Sequence, residues 1–250
     1  MDFIKVEGLT KVYRDLNKGK NNYKTQALDD VNFFVEEREF VEIMGKSGCG
    51  KTTLLRTLGG IDKDIVGSIK FKGKDISKLS MSELALFRRR EVGFVFQEFY
   101  LMESLNVREN IMLPMILYKK NSDDMINTTI NYAKKFSIKE RLENYPNELS
   151  GGQKQCVAIC RALSNNPTLI LADEPTGNLD SISSQIVIES LQKLNEEMNK
   201  TVIIVTHDPL IASYCKRIIF MKDGKNIKEL HKSNSRELFF KDILNELVYL

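Results

Sequence analysis

The stretch F-V-E-I-M-G-K-S-G-C-G-K-T, residues 40–52, decides the fold of this 250-residue chain. Its first five residues form a mostly apolar run that predicts a strand, and residues 53–58 have helical spacing. The eight residues 45–52 fit the pattern G-x-x-x-x-G-K-[ST] in the strand–loop–helix setting that the pattern requires. The stretch therefore predicts a phosphate-binding loop within an α/β fold.

The chemistry of this loop follows from its residue types. Glycines let the backbone curl so that successive N–H groups point at phosphate oxygens, and the following helix adds the positive end of its dipole. Lys51 is predicted to contact the β- and γ-phosphates, and the Thr52 hydroxyl to help hold Mg²⁺. A glycine-rich turn beside a chance Lys-Thr is the alternative, and the strand–loop–helix setting argues against it. The residues predicted to bind nucleotide here are Gly45, Lys46, Ser47, Gly48, Cys49, Gly50, Lys51, Thr52 and Thr53.

A pair of carboxylates supports the same interpretation. Asp173 and Glu174 follow the buried-strand pattern Leu169–Ala172, at the strand end where open α/β sheets bind ligands. Asp173 suits the Mg²⁺ shell, and Glu174 is placed to orient or deprotonate an attacking water. Taken alone, Asp-Glu before Pro175 is also a common way to end a strand.

Composition narrows the class of protein. The net charge is +3 among 71 Lys, Arg, Asp and Glu residues, so no concentrated basic face for nucleic acid is expected. Apolar runs such as Val202–Val205 fall far short of the roughly 20 residues of a membrane helix, so any membrane role would come through a partner. None of the four cysteines forms a C-x-x-C pair, which favours reduced, mostly buried thiols over a zinc site.

Short apolar, mostly β-branched runs alternate with helical patterns, which predicts a largely parallel sheet. Strand signals vanish between about residues 98 and 162, where helical spacing predicts an inserted helical subdomain. Polar residues 14–26 predict an extended surface loop. The candidate strands are Phe3–Val6, Val31–Val35, Phe40–Met44, Gly67–Phe71, Val92–Phe96, Leu169–Ala172, Val202–Val205 and Ile218–Met221.

The run L-S-G-G-Q, residues 149–153, makes a resemblance specific. Upstream of a strand that ends in Asp-Glu, it resembles the signature of ABC (ATP-binding cassette) ATPases, and the similarity covers about residues 3–230. The resemblance implies a P-loop NTPase domain over residues 1–230, with a mostly parallel core sheet, an antiparallel β subdomain and the inserted α-helical subdomain. It also implies ATP hydrolysis with Mg²⁺.

The resemblance assigns roles to further residues. Tyr13 resembles the aromatic that stacks on adenine, Gln97 the glutamine that contacts Mg²⁺ and senses the γ-phosphate, and His207 the switch histidine. The nucleotide-binding set gains Ser150, Gly151, Gly152, Gln153 and Asp180, the last in a loop that crosses the dimer interface. The catalytic set is Glu174, His207, Lys51 and Gln97, and the metal set is Thr52, Gln97 and Asp173.

The signature has a physical interpretation of its own. Ser150 and Gln153 fit an S-x-x-Q capping box, which predicts the start of a helix through Leu163. A capped helix N-terminus with two glycines also offers N–H donors to a γ-phosphate. In the family this helix N-terminus completes the site of the opposite subunit, which implies a dimer of two copies of this chain or of this chain and a homologue. Cys156 departs from the pattern, because relatives usually have Arg there, and Cys cannot replace its bidentate cation.

Several motifs resemble the bacterial lipoprotein-release, macrolide-export and antimicrobial-peptide-resistance group. Residues 212–217 and the tail from Ser235 favour the peptide-resistance branch, which resembles bacitracin export. The resemblance implies a homodimer on the cytoplasmic face of a bacterial membrane, held by a permease with a large extracellular domain, and a sensor kinase as a further partner. One alternative is a lipoprotein-release or cell-division ATPase that regulates a membrane partner. Another is a DNA-maintenance ATPase, but the 97 residues between Thr52 and Ser150 show no long heptad run.

Residues 231–250 predict a C-terminal amphipathic helix. Its apolar positions follow helical spacing. Packing on its own domain and docking to a partner both remain open. The predicted face consists of Phe240, Ile243, Leu244, Leu247 and Val248.

Overall fold

The computed structural model describes residues 2–14, 24–233 and 235–248. The strands are β1 (Ile4–Arg14), β2 (Lys24–Val35), β3 (Phe40–Met44), β4 (Val66–Phe71), β5 (Lys74–Asp75), β6 (Val92–Phe96), β7 (Leu169–Asp173), β8 (Thr201–Thr206), β9 (Arg217–Lys222) and β10 (Lys225–His231). The helices are α1 (Lys51–Leu58), α2 (Met81–Glu91), α3 (Val107–Leu117), α4 (Ser122–Lys135), α5 (Gly151–Leu163), α6 (Ser181–Glu196), α7 (Pro209–Ala212) and α8 (Arg236–Leu247).

The chain divides into two compact units. Met1–Ala85 and Ile203–Leu250 form the first unit, and Leu86–Val202 forms the second. The division falls within α2 and within β8.

The first unit contains an antiparallel sheet of order β2-β1-β4-β5. Ile4 on β1 lies opposite Val35 on β2 and Phe71 on β4, and all three side chains are buried. The side chains of β2 alternate between exposed and buried over its second half, as expected for a sheet with one solvated face.

The first unit also contains β10, β9, β3 and the part of β8 from Ile203 onward, in the order β10-β9-β3-β8; β3 and β9 are parallel, and β9 and β10 are antiparallel. Every residue of β3 and of β8 is buried, the pattern expected for parallel strands covered on both faces. The phosphate-loop stretch therefore begins on a central, fully buried strand.

In the second unit β6 and β7 are parallel, and Phe96 pairs with Asp173 at their ends. Helix α5 packs on β6, α3 and α6. A Cβ on Gly93 of β6 would lie 2.6 Å from the Ala162 carbonyl oxygen, so this close approach of helix and strand requires glycine. No strand occurs between residues 97 and 168, all of which the structure describes; helices α3, α4 and α5 lie there instead.

All eight predicted strands are present, and β3 and β6 have the predicted bounds. The two-residue strand β5 and the polar edge strand β10 were not predicted, because neither has an apolar run. The predicted loop 14–26 is wrong at its ends, since Arg14 belongs to β1 and Lys24–Gln26 to β2. These polar residues form strands because the backbones of β1 and β2 pair with each other there. The rest of the predicted loop, residues 15–23, lies outside the described residues.

Helix α8 packs on its own unit. Phe239 and Ile243 are buried against Met44, Ala212 and neighbouring strand residues of the first unit. The predicted apolar face is therefore wrong by part of a turn. Its members Leu244 and Val248 are 41% and 80% exposed.

Two contacts hold the start of α8. Ser235 caps the helix by accepting a hydrogen bond from the Leu238 N–H, and the Arg236 guanidinium lies 4.5 Å from the centroid of the Tyr214 ring. No helix in residues 2–14, 24–233 and 235–248 is long and apolar enough to span a bilayer.

Candidate nucleotide-binding site

The phosphate loop lies in the first unit, between β3 and α1. The Lys51 ammonium is buried and donates to the carbonyl oxygens of Gly45, at 2.7 Å, and Lys46, at 3.0 Å. The loop therefore curls around the lysine that the sequence assigns to the phosphates. The predicted loop residues 45–53 are brought together as one continuous turn and the first turn of α1.

Two glycines are required by the packing of this loop. Gly50 has φ +103°, and a Cβ there would lie 2.2 Å from the carbonyl oxygen of Ala27. A Cβ on Gly45 would lie 2.3 Å from the carbonyl oxygen of Met221. The loop thus packs backbone against backbone, which fixes its shape before any ligand binds.

The start of α1 suits an anion. Gly50 caps the helix without a side-chain hydrogen bond, and its first turn contains no acidic residue. The first N–H groups of the helix and the positive end of its dipole therefore face the loop without a competing carboxylate. Thr52, in this turn, is exposed.

Tyr13 lies on β1 and is 40% exposed. Its hydroxyl donates to Asp62 at 2.7 Å, and Asp62 in turn accepts two hydrogen bonds from the Arg56 guanidinium. The ring is therefore held at its polar end and open on its surface, a geometry that can support stacking. No local spacing in the sequence links Asp62 and Arg56 to Tyr13, so neither is predicted from the sequence.

His207 follows β8 in the first unit and is exposed. The next residue, Asp208, caps α7 by accepting a hydrogen bond from the Leu210 N–H at 2.8 Å. The position of His207 at a strand end is therefore fixed by the turn that begins the short helix.

In the second unit, Gln97 follows β6 and Glu174 follows β7, so the pairing of Phe96 with Asp173 places them at the same edge of the two strands. The Gln97 side chain donates to Asn178 at 3.0 Å, which in turn donates to Glu98 at 3.1 Å. Glu98 and Asn178 are therefore linked to Gln97 by contacts that the sequence does not predict.

Glu174 has φ +45°, a left-handed conformation that is rare outside glycine. Such strain costs on the order of 1–3 kcal/mol and concentrates at functional sites. The Glu174 carbonyl accepts a hydrogen bond from the Gly177 N–H at 3.0 Å, so a tight turn holds the strained residue.

The signature residues form the predicted capping box at the start of α5. Ser150 accepts from the Gln153 N–H at 3.3 Å, and the Gln153 side chain accepts from the Ser150 N–H at 3.0 Å. A Cβ on Gly151 would lie 2.8 Å from a Leu179 methyl carbon, and one on Gly152 would lie 3.0 Å from Ser183. The signature therefore packs against the loop that contains Asp180.

Asp180 caps helix α6. Its carboxylate accepts hydrogen bonds from the N–H and the hydroxyl of Ser183, at 2.9 and 2.8 Å. These hydrogen bonds, the backbone one first, lower the pKa of Asp180. Asp180 is therefore a charged cap at the predicted dimer-facing loop.

Cys156 is 3% exposed within α5. Burial raises the pKa of its thiol to about 11, although a hydrogen bond with Ser190 and the charge of Lys193 act in the opposite sense. A neutral thiol therefore stands where the family pattern has a cation. All four cysteines are buried and none is in a disulfide.

These features define a nucleotide-binding ATPase of the ABC class, and the chain belongs to the ABC transporter family, whose model matches residues 28–177. It is 47% identical over its whole length to an uncharacterized ABC transporter ATP-binding protein, YvcR, of Bacillus subtilis, covering 95% of that protein. It is 48% identical over 225 residues to the bacitracin export ATP-binding protein BceA of Halalkalibacterium halodurans, covering 88% of each chain.

Among solved structures, the chain resembles the ATP-binding cassette MJ0796 of Methanocaldococcus jannaschii, in a dimeric post-hydrolysis state bound to ADP and Pi. The TM-score is 0.82 at 41% identity, and the match covers 91% of this chain and 98% of that one. The predicted fold class and ATP hydrolysis are confirmed. This chain is an ATP-binding, ATP-hydrolysing subunit of an ABC transporter.

Proposed function

We propose that two copies of this chain form the ATPase of a membrane transporter that exports or detoxifies antimicrobial peptides. The main observation in support of the dimer is the capped signature at Ser150. Each chain has one phosphate loop and one signature, so a site that needs both from different chains requires two chains. Two chains placed head to tail would sandwich two nucleotides, each between the loop of one chain and the signature of the other.

The residues divide the chemistry of hydrolysis between them. Lys51 and the N–H groups of the loop bind the β- and γ-phosphates, and Glu174 orients the attacking water and accepts its proton. Gln97 and His207 respond to the γ-phosphate. The tight turn at Glu174 supports this role, since the hydrogen bond from the Gly177 N–H to the Glu174 carbonyl holds the backbone of this residue at the end of β7.

The proposed metal ligands fit Mg²⁺. Thr52, Gln97 and Asp173 offer hydroxyl, amide and carboxylate oxygens, the hard donors that Mg²⁺ prefers. Bound Mg²⁺ would neutralise charge on the phosphate oxygens during transfer.

The signature acts on the partner's nucleotide. Ser150 presents a hydroxyl and a helix N-terminus whose first turn contains no acidic residue. Both favour an anion, so the γ-phosphate bound at Lys51 of one chain attracts Ser150 of the other. Loss of the γ-phosphate removes this attraction and lets the chains separate.

Exposed apolar side chains of the second unit support a permease as partner. Tyr100 and Met102, on the segment after Gln97, are 63% and 46% exposed, and Ile116 and Leu117 at the end of α3 are 51% and 61% exposed. The Asn110 side chain ties this segment to α3 through the backbone N–H and carbonyl of Met102. Exposed apolar groups beside a polar site are typical of docking surfaces.

The peptide cargo is supported by the 48% identity to a bacitracin export ATP-binding protein. Such a complex would sit on the cytoplasmic face of the membrane, with the permease's extracellular domain or a sensor kinase as the parts that detect peptide. A regulator of lipoprotein release or cell division uses the same ATPase chemistry.

The partner is tested by affinity purification from membranes. The wild-type chain should recover an integral membrane permease, and the double variant Y100S/L117S should lose it. The control V66S/L238S also removes two apolar side chains, 70% and 49% exposed, and should retain the permease. Recovery of DNA without a membrane protein would contradict the proposal.

The cargo is tested separately. Cells that lack the chain should become more sensitive to bacitracin-type peptides, and the wild-type gene should restore resistance while a K51A variant should not. Unchanged sensitivity to peptides, together with a change in lipoprotein release, would favour the regulatory alternative.

A further inference from the structure

Helix α5 binds the backbone just before Gln97 and just after Glu174. The Gln155 side chain is fully buried, and its amide donates to the carbonyl oxygens of Phe96, at 3.2 Å, and Pro175, at 2.8 Å. Phe96 immediately precedes Gln97, and Pro175 immediately follows Glu174. One amide group therefore joins the two segments that contain the proposed catalytic side chains.

The orientation of this amide is determined by its partners. Both are carbonyl oxygens, which only the N–H₂ end of Gln155 can satisfy. The other end, its oxygen, has no hydrogen-bond partner among the described residues. A buried acceptor without a partner is costly, and the two hydrogen bonds that the Gln155 amide donates offset that cost.

Arg161, six residues further along α5, binds the backbone just after Gln97. Its guanidinium donates to the carbonyl oxygen of Phe99 at 2.6 Å and to that of Tyr100. Phe99 and Tyr100 have φ of +57° and +45°, two successive non-glycine residues in the left-handed region. This unusual turn points both carbonyl oxygens at one cation, and burial, which lowers the pKa of Arg161, strengthens the hydrogen bonds.

We propose that Gln155 and Arg161 are positioning residues that clamp the backbone on both sides of Gln97 to helix α5. The helix begins at the signature, directly after Ser150, so the clamp makes the signature, Gln97 and the turn at Glu174 move as one body. Neither side chain is assigned a contact with ATP. The proposal rests on the proposed roles of Gln97 and Glu174.

The same clamp holds Tyr100, one of the exposed side chains assigned to the permease. A displacement of Tyr100 by a docked partner would therefore pass through Arg161 to α5 and to the signature. The physical route is two hydrogen bonds and one rigid helix of 13 residues.

Steady-state ATP turnover and equilibrium ATP binding test the clamp. Q155E keeps the size of the side chain but turns an acceptor toward two carbonyl oxygens, and R161M removes both donors. Each should lower kcat by at least about tenfold, because small misplacements of catalytic groups cost on the order of 100-fold. The Kd for ATP should stay within about twofold, since the phosphate loop lies in the other unit.

Two further variants separate positioning from loss of structure. R161K retains a cation but not the planar pair of donors, so it should restore part of kcat relative to R161M. R108M is the matched control, because Arg108 lies in the same unit and binds the Glu143 carboxylate instead of the segment after Gln97. It should keep kcat within about twofold of wild type.

A direct readout comes from fluorescence, since the chain has no tryptophan. In a Y100W background, R161M should speed the depolarisation of the single tryptophan, and R108M should leave it unchanged. Equal kcat and equal depolarisation in R161M, Q155E and R108M would overturn the clamp. If Q97A kept full turnover, Gln97 would have no catalytic role. The proposed function of Gln97 would then fail independently of the result for R161M.

Discussion

At the scale of single residues, Ser150 and Ser235 have the same structural role in two different helices. Each is a serine at the N-cap of a helix, and each accepts a hydrogen bond from the N–H three residues later, at 3.3 and 3.4 Å. Only Ser150 belongs to the signature. A comparison of the two serines therefore distinguishes the effect of helix capping on stability from an effect on ATP turnover.

We expect S150A and S235A each to lower the free energy of unfolding by about 1 kcal/mol, the usual cost of an N-cap. Only S150A should also lower ATP turnover, because only its hydroxyl is proposed to reach the partner's γ-phosphate. Urea denaturation and steady-state turnover measure the two effects. If both variants lost turnover equally, the effect would come from stability and not from the signature.

Cys156 gives a prediction for pH. Its pKa, normally about 9.0, is about 11 in the folded chain because of burial. The unfolded chain therefore releases this proton first, and the thiol's contribution to stability is fully present below pH 9 and lost as pH rises toward 11.

Wild type should therefore lose more stability than C156A between about pH 8 and about pH 10.5, since the variant lacks this titration. Urea unfolding at the two pH values measures the difference. Cys49 and Cys215 are present in both proteins, so their titration cancels, whereas part of the rise in the pKa of Cys160 comes from the charge of Cys156 and is lost with it. Equal losses in both proteins would show that Cys156 is not protonated preferentially in the folded state.

At the scale of elements, α8 shows where sequence patterns reach their limit. Spacing predicts a helix near the C-terminus correctly, yet it does not determine which stripe faces inward, since Phe239 and Phe240 are both apolar. That choice depends on the contacts of α8 with Ala212, Ile218 and Phe220, which are distant in sequence. The fully buried strands β3 and β8, by contrast, follow directly from their apolar runs.

Adjacent residues of α8 provide a matched pair. Phe239 is 1% exposed and Leu238 is 49% exposed. F239A should lower the free energy of unfolding by about 3–5 kcal/mol, the range for a buried Phe. L238A should change it by no more than about 0.5 kcal/mol. A large loss in L238A would mean that this face of α8 is covered, for example by a second chain.

At the scale of the whole molecule, sequence motifs indicate the candidate site residues, but they do not indicate the residues that hold those site residues in place. The strand–loop–helix pattern and the signature indicate Lys51 and Ser150 directly, because local chemistry fixes those positions. The partners Asp62, Gln155 and Arg161 carry no such pattern, since each acts on a backbone or side chain at least 20 residues away. Only the folded chain brings them together.

A single chain contains only half of each proposed ATP site. Each chain contributes one phosphate loop, at Lys51, and one signature, at Ser150, and the proposed site needs both from different copies. In the proposed dimer, hydrolysis removes the γ-phosphate that joins the two chains. The association of two chains should therefore depend on ATP and on the step that Glu174 performs.

The most direct measurement is the mass of the E174Q variant in solution with and without ATP. We expect turnover to fall by about 100-fold or more, as for loss of a general base, while ATP binding persists. The mass should then double from 28.7 kDa on addition of ATP, and the double variant K51A/E174Q should stay monomeric. Turnover at the wild-type rate, or a monomer at saturating ATP, would contradict the account.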